Sequence, residues 1–205
     1  MKLRHAALSP FVRKVMVAAH ELALAGRIEL EPTNVSPIQV NPTLAAENPL
    51  MKVPSFVTDD GLVLFDSPVI CEYLDSLAGG GMLFPAAGPE RWTALRRQAL
   101  GDGILDALVL IRYENLRPED SRWNGWTDGQ TTKAHQGLAA AEEEGLSGFS
   151  TIGDIAIGVM LGYLDFRFPD DGWRRRRPRL AAWYATVSRI DGRSSITPPA
   201  PRAQP

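Results

Sequence analysis

The sequence has one cysteine, three histidines and no long apolar run, and each shortage excludes a class of protein. Cys71 has no partner for an internal disulfide, which suits a reducing compartment. His5, His20 and His135 lack metal-ligand spacing with any cysteine or carboxylate pair, so we expect no metal. No apolar run approaches the length of a membrane span, and residues 1–20 lack a signal-peptide core. We therefore expect a cytoplasmic protein with no membrane partner.

An excess of positive charge is also missing. Lysine and arginine total 22 against 24 aspartates and glutamates, a net charge of −2 at pH 7. The run of four arginines at 174–177 ends at a proline, and we interpret it as a basic loop. The sequence therefore predicts no nucleic-acid partner.

Residues 1–78 alternate strand and helix patterns. "MKLRHAAL" is a strand candidate, and Pro10 opens a helix whose apolar residues follow the i, i+3, i+4, i+7 pattern. "RIELEP" predicts a second strand, and the proline-rich stretch 33–52 predicts a loop with one short helix. "SFVTDDGLVLF" predicts a β-hairpin. "DSPVICEYLDSL" predicts a helix with Ser67 as its N-cap and Pro68 at its first position. These elements predict a compact α/β domain over 1–78.

The composition changes after residue 78. A linker rich in glycine and proline spans 79–89, and the remainder, 90–198, reads as helix. Helical spacing covers 90–114, 128–145, 151–168 and 178–190. The third of these helices is apolar on nearly all sides, which predicts a central, buried helix begun by a capping box of Thr151 and Asp154. We expect the proline-rich end, 199–205, to be a flexible tail.

The stretch "MKVPSF" (51–56) places a proline where a strand begins. Pro54 has no N–H to donate to a sheet, and it forces Val53 into an extended backbone. One explanation is that the backbone of Val53 must stay unpaired because another molecule hydrogen-bonds to it. The alternative is a trans proline on an edge strand.

Together these motifs resemble a known family. "SPFVRKV" (9–15), "NPLMKVPSF" (48–56), "LFDSPVICEYLD" (64–75) and "TIGD" (151–154) resemble the glutathione transferase superfamily. "DGILDALVLIRYENLRP", followed by Trp123 and Trp126, is similar to its bacterial YibF-like branch. The resemblance runs over about residues 1–198. It implies a thioredoxin-like, glutathione-binding α/β domain followed by an all-α, substrate-binding domain.

The resemblance also implies roles for residues of the first domain. The Val53–Pro54 bond would be cis, so that Val53 pairs with the cysteinyl amide of glutathione. Lys52 would reach the glycyl carboxylate, although a solvated lysine is equally compatible with the sequence. Asp66 would bind the α-ammonium, and Ser67 the γ-glutamyl carboxylate at a helix N-terminus, the alternative being a plain capping serine. Phe11 would border the site.

Ser9 is the candidate activator of the thiol. Pro10 makes Ser9 a natural N-cap, and its hydroxyl would donate a hydrogen bond to the glutathione thiolate. The alternative is that Ser9 only caps its helix. No tyrosine or cysteine precedes Cys71, so no rival activator of those types exists there.

The implied function is transfer of glutathione to a small apolar electrophile, with glutathione as co-substrate and a role in detoxification. Asp106, Arg112, Tyr113 and Trp123 are the candidates for the second-substrate site. The family forms homodimers, in which Asp102 of a partner subunit would reach the glutathione site. The alternative function is a glutathione-binding module or ligand carrier without turnover. Two departures from the family pattern favour it: Met51, where glycine is common, and Asp66, where Glu or Gln is common.

Overall fold

The structure is a computed structural model that describes residues 1–188. Its chain divides into two compact units, one of residues 1–91 and one that begins at Trp92. The last two residues of the helix predicted over 178–190, and the predicted tail, lie outside the described residues.

The first unit is built on a four-stranded mixed sheet. Its strands are β1 (Lys2–His5), β2 (Glu29–Pro32), β3 (Ser55–Val57) and β4 (Val63–Leu64), in the order β2-β1-β3-β4. β1 pairs parallel to β2 and antiparallel to β3, and β3 pairs antiparallel to β4. The predicted hairpin of β3 and β4 is confirmed, with strands of three and two residues.

Three α-helices and a short 3-10 helix (Ala25–Arg27) complete this unit among the described residues; the α-helices are α1 (Pro10–Glu21), α2 (Pro42–Glu47) and α3 (Ser67–Leu77). α1 packs against α3, and their apolar faces share the core with the inward residues of the strands. Leu3, Phe56 and Ile70 are each 0% exposed in this core, and so is Cys71.

The second unit is all-helical. It contains most of α4 (Pro89–Asn115), then α5 (Asn124–Glu144), α6 (Ile152–Arg167), α7 (Trp173–Arg176) and α8 (Pro178–Val187). Every residue of α6 from Ile152 to Leu164 is buried, which confirms the prediction of a central helix. Thr151 and Asp154 form the predicted capping box at its start. The predicted α/β unit followed by a helical one is therefore confirmed.

Two details of the helical unit differ from the sequence prediction. α5 begins at Asn124, four residues before the predicted start, because Glu114 Oε1 accepts a hydrogen bond from the amide of Trp123 at 2.8 Å and secures the first turn. The arginine run was predicted to be loop, but it forms most of α7. Trp173 starts that helix, is 2% exposed and donates its indole N–H to Asp165 at 2.8 Å. Both differences come from single side-chain hydrogen bonds between neighbouring elements, which hydrophobic spacing does not indicate.

None of the helices within residues 1–188 is long and apolar enough to cross a membrane. Over the same residues, no cluster of three or more His, Cys, Asp or Glu side chains could hold a metal ion.

Candidate functional site

The sheet topology brings three segments of the first unit to one edge. β1 ends at this edge and leads into the start of α1. Because Arg4 opposes Ser55 in the antiparallel register, the segment before β3 lies at the same edge. Phe56 opposes Leu64, so the end of β4 and the start of α3 follow there too. Ser9, Val53–Pro54 and Asp66–Ser67 therefore share one edge, although they are far apart in sequence.

Ser9 is the N-cap of α1, as predicted, and Pro10 opens the helix. Its Oγ accepts a hydrogen bond from the Val12 amide at 3.3 Å. No acceptor among residues 1–188 receives the Ser9 hydroxyl proton, so the hydroxyl can cap the helix and donate outward at once. Phe11, the second residue of α1, is half-buried beside it.

The Val53–Pro54 peptide bond is cis, as expected. Neither the N–H nor the C=O of Val53 forms a hydrogen bond with any residue in 1–188, although Val53 is only 9% exposed. Lys52 is exposed, and no carboxylate of the described residues pairs with it. A buried backbone usually has its polar groups paired, so these two groups are suited to bind a ligand.

Asn48 supports this segment, and the sequence interpretation gave it no role. It is 1% exposed, donates from Nδ2 to the Lys52 carbonyl at 2.9 Å and accepts from the Leu50 amide at 3.0 Å. Met51 in the same loop has a φ of 52°, the left-handed region that glycine adopts most readily. This conformation explains why glycine is common at this position in the family; Met51 adopts it although it carries a side chain.

The start of α3 corrects one prediction. The N-cap is Asp66, not Ser67, and no side chain caps the helix. The Phe65–Asp66 peptide bond is cis. Ser67 is 1% exposed, and within residues 1–188 its hydroxyl and amide, like the amide of Val69, form no hydrogen bond. The first turn of α3 therefore keeps its donors available, and Asp66 is exposed next to them.

The candidates for a second-substrate site lie in the helical unit. Asp106, Arg112 and Tyr113 are on α4; Asp106 and Tyr113 are exposed and Arg112 is half-buried. Trp123 precedes α5, is 69% exposed and stacks on Trp126 with ring centroids 6.5 Å apart. Asp102, the candidate contributed by a partner subunit, is half-buried on α4.

The sequence matches two family models. The glutathione S-transferase N-terminal domain matches residues 8–77, and the glutathione S-transferase C-terminal domain matches residues 124–186. The chain belongs to the glutathione S-transferase family. Its sequence is 34% identical over 185 residues to the uncharacterized GST-like protein YibF of Escherichia coli K12, covering 88% of this chain and 90% of YibF. The chain therefore belongs to the YibF-like branch of this family, as its motifs predict.

Solved structures of other family members agree with this assignment. A glutathione transferase family member from Pseudomonas fluorescens Pf-5, with bound glutathione, is 43% identical; the match covers 97% of this chain and 99% of that one, with a TM-score of 0.91. A glutathione S-transferase from Methylobacillus flagellatus KT, with glutathione bound, is 32% identical, covering 97% and 99% with a TM-score of 0.84. A second crystal structure of the Pseudomonas family member contains S-(propanoic acid)-glutathione; it is 42% identical, covering 98% and 100% with a TM-score of 0.87. The glutathione transferase fold is thus confirmed.

Proposed function

We propose that this chain binds glutathione and transfers it to a small electrophile, with Ser9 holding the thiolate. The observation that carries the proposal is the unpaired backbone of Val53, at the same sheet edge as the Ser9 hydroxyl. The N–H and C=O of Val53 would form backbone hydrogen bonds with the cysteinyl residue of glutathione, as two residues do in paired antiparallel strands. That pairing would direct the cysteinyl sulfur, between the two ends of the tripeptide, toward Ser9.

Both ends of glutathione are charged, and the proposed site has a group that would bind each of these charges. Lys52 would bind the glycyl carboxylate. The amides and hydroxyl in the first turn of α3 would bind the γ-glutamyl carboxylate, because a helix N-terminus favours an anion. Asp66 would bind the α-ammonium. The glutathione complexes of the Pseudomonas and Methylobacillus proteins support this binding.

The chemistry requires an ionised thiol. A free cysteine thiol has a pKa of about 8.5, so only a small fraction is thiolate near neutral pH. A hydrogen bond from Ser9 to the sulfur, worth about 1.5–3 kcal/mol, would lower the pKa of the thiol by about one to two units. The positive end of α1 would act in the same direction.

The second substrate would bind in the helical unit, with Asp106, Arg112, Tyr113 and Trp123 as the residues nearest to it. S-(propanoic acid)-glutathione in the Pseudomonas protein supports a site that accepts a small substituent on the sulfur. Cytoplasmic location, a homodimer in which Asp102 of the partner subunit completes the site, and a role in detoxification belong to the same proposal.

The test compares Ser9→Ala with Ser76→Ala. Ser76 lies in the last turn of α3, where its hydroxyl donates to the Tyr73 carbonyl at 2.6 Å, so its loss leaves the proposed site intact. We expect Ser9→Ala to retain most of the glutathione affinity but to lose about one to two orders of magnitude in kcat with a panel of electrophiles. Its pH–rate profile should also move to higher pH, and the thiolate ultraviolet absorbance of bound glutathione should fall. Ser76→Ala should match the wild type in all three.

A different result would identify a binding module instead. In that case the wild type would bind glutathione with an unshifted thiol pKa, and Ser9→Ala would change no rate.

A further inference from the structure

Arg4 is a charged residue inside the α/β unit. It is the third residue of β1, and only 8% of it is exposed. Successive side chains of a strand point to opposite faces of the sheet, so Arg4 lies on the face opposite to Leu3 and the core that α1 and α3 cover. An arginine is rarely this buried unless its charge is paired. Its partners therefore show what it holds in place.

Two carboxylates pair with Arg4, and the pair with Glu47 has the better geometry. The Nε and one terminal nitrogen of Arg4 donate to the two carboxylate oxygens of Glu47, each at 2.6 Å. A planar guanidinium binds a carboxylate most strongly through two parallel hydrogen bonds of this kind. The other terminal nitrogen donates to Glu31, which opposes Arg4 on β2. The hydrogen bonds to Glu47 are the largest cause that raises the pKa of Arg4 above its ordinary value, while burial opposes the rise and Glu31 adds to it.

The pair with Glu47 fixes α2 to the sheet. α2 is six residues long, all within the described chain, and Leu44 is the only one of them that is buried. A helix this short is not stable by itself in water, so contacts with the rest of the unit must hold it. Glu47 is the last residue of α2, so the pair with Arg4 fixes the end of the helix that leads into residues 48–54.

Asn48 transmits this fixed position to Val53. It is the C-cap of α2, and its amide donates to the Leu44 carbonyl at 2.7 Å. Its Nδ2 donates to the Lys52 carbonyl at 2.9 Å. That carbonyl belongs to the same planar, trans peptide unit as the N–H of Val53, so the two groups point in opposite directions. Because Asn48 holds the Lys52 carbonyl, the N–H of Val53 is directed away from Asn48 and stays available.

Arg4 also fixes the other end of this segment. It opposes Ser55 in the antiparallel pairing of β1 with β3, and Ser55 is 0% exposed. Residues 48–54 therefore begin next to Glu47, the partner of the Arg4 side chain, and end next to Ser55, the partner of its backbone. Two fixed ends reduce the conformational freedom of the segment, which lowers the entropy lost when a ligand binds to it.

We infer that Arg4 is a positioning residue for the proposed glutathione site. It acts through Glu47 and Asn48, and the group that it positions is the N–H of Val53. This inference rests on the proposed function, because the ligand for that N–H is the cysteinyl residue of glutathione. The binding segment is ordered before glutathione arrives, so binding does not have to order it.

The test compares two substitutions, each of which removes one carboxylate from the same arginine. Glu47→Gln weakens the pair that fixes α2 and leaves Arg4 paired with Glu31. Glu31→Gln is the matched control, because it weakens the pair that joins β1 to β2 and leaves the contacts leading to Val53 intact. We expect Glu47→Gln to bind glutathione about fivefold to thirtyfold more weakly, the equivalent of ordering the backbone of one residue. Glu31→Gln should bind glutathione within about twofold of the wild-type affinity.

Two further measurements separate positioning from a general loss of stability. At saturating glutathione the segment is ordered in either protein, so the kcat of Glu47→Gln should stay within about threefold of the wild type while its KM for glutathione rises. Calorimetric titration should give a more unfavourable entropy of binding, because the variant orders its segment only when glutathione binds. A variant that was only less stable would change neither KM nor this entropy while it remained folded, which urea unfolding would check.

Hydrogen exchange in the wild type provides a measurement that needs no variant. The amides of Leu50 and Met51 donate to Asn48 at 3.0 and 2.8 Å. Before glutathione is added, we expect their exchange to be slower by at least about tenfold than in an unstructured peptide. Exchange at the unstructured rate would mean that the segment is not ordered in advance. That result would contradict the inference even if Glu47→Gln failed to fold.

Equal glutathione affinity in Glu47→Gln and the wild type would overturn the inference and leave the proposed function standing. Equal losses of affinity in Glu47→Gln and Glu31→Gln would also overturn it, because they would reflect the lost charge and not the position of α2. If the expected affinities were found without any turnover, the transfer step of the proposed function would fail alone. A wild type that bound no glutathione would contradict both.

Discussion

The starts of α3 and α6 differ in how their donors are satisfied. At the start of α6, Asp154 Oδ2 accepts from the Thr151 amide at 2.9 Å and the Ser150 amide at 3.1 Å, and Thr151 Oγ accepts from the Asp154 amide at 3.4 Å. Arg97 from α4 then donates to Asp154 Oδ1 at 3.1 Å. At the start of α3, no side chain caps the helix.

The difference separates a folding element from a candidate binding element. A first turn satisfied by its own chain has no donor left for a ligand, so its residues serve stability. A first turn that keeps its donors, like that of α3, gains its partners when an anion binds. Under the proposed function, the same residue types, a hydroxyl and a carboxylate, would serve different purposes at the two helices.

The largest expected effect is loss of stability in Asp154→Ala. This change removes the capping carboxylate and leaves Arg97 with only Glu144, whose Oε1 lies 2.6 Å from its Nε. We expect the free energy of unfolding to fall by about 3 kcal/mol, the lower end for breaking a buried ion pair. Urea unfolding of Asp154→Ala and of the control Asp128→Ala, an exposed carboxylate on α5, would measure it. A loss below about 1 kcal/mol would contradict a stabilising role for the capping box of Thr151 and Asp154.

A smaller loss should come from the packing of α6 on α4. Gly101→Ala places a methyl group 2.8 Å from the backbone of Ala156, so the helices must separate, at a cost of about 1–3 kcal/mol. Gly103→Ala on the same helix meets nothing within 4 Å and should stabilise by up to about 1 kcal/mol, because alanine is the better helix former. Thermal unfolding of the two variants compares them directly. Equal melting temperatures would mean that α4 and α6 do not touch at Gly101.

The smallest effect is expected in Ser67→Ala and should affect binding rather than folding. The Ser67 hydroxyl has no hydrogen bond within residues 1–188, so stability should change by less than about 0.5 kcal/mol. Loss of a donor to the γ-glutamyl carboxylate should weaken glutathione binding by about 1.5 kcal/mol. Calorimetric titration with glutathione would show it, with Ser76→Ala as control. A Ser67→Ala variant that lost stability but kept its affinity would make Ser67 a structural residue like Thr151.

Features set by local chemistry were predictable from the sequence. Proline has no amide hydrogen, so Pro54 predicted an interruption in the hydrogen bonding of the β-sheet. Pro10, a residue favoured at the first position of a helix, predicted Ser9 as the N-cap of α1. The spacing of Thr151 and Asp154 predicted the capping box. At α3 the sequence predicts Ser67 as the N-cap, whereas the observed N-cap is the preceding residue, Asp66. The two are hard to distinguish because serine and aspartate are both good N-caps and occur side by side there.

Features set by contacts between distant residues were not predictable. Asn48 supports Lys52 through a hydrogen bond that its sequence neighbours do not indicate. Likewise, only the close approach of Gly101 on α4 to Ala156 on α6 shows where these two helices touch.

By itself, the sequence determined the order of the elements in the first unit, the starts of α1 and α6, and the family. These depend on backbone chemistry and on hydrophobic spacing within about ten neighbouring residues. Only the tertiary structure decided which side chains of α4 face those of α6. Because a helix presents a different face at every residue, the partners of Arg112 depend on where the two helices touch, and that point is set by the whole packed unit.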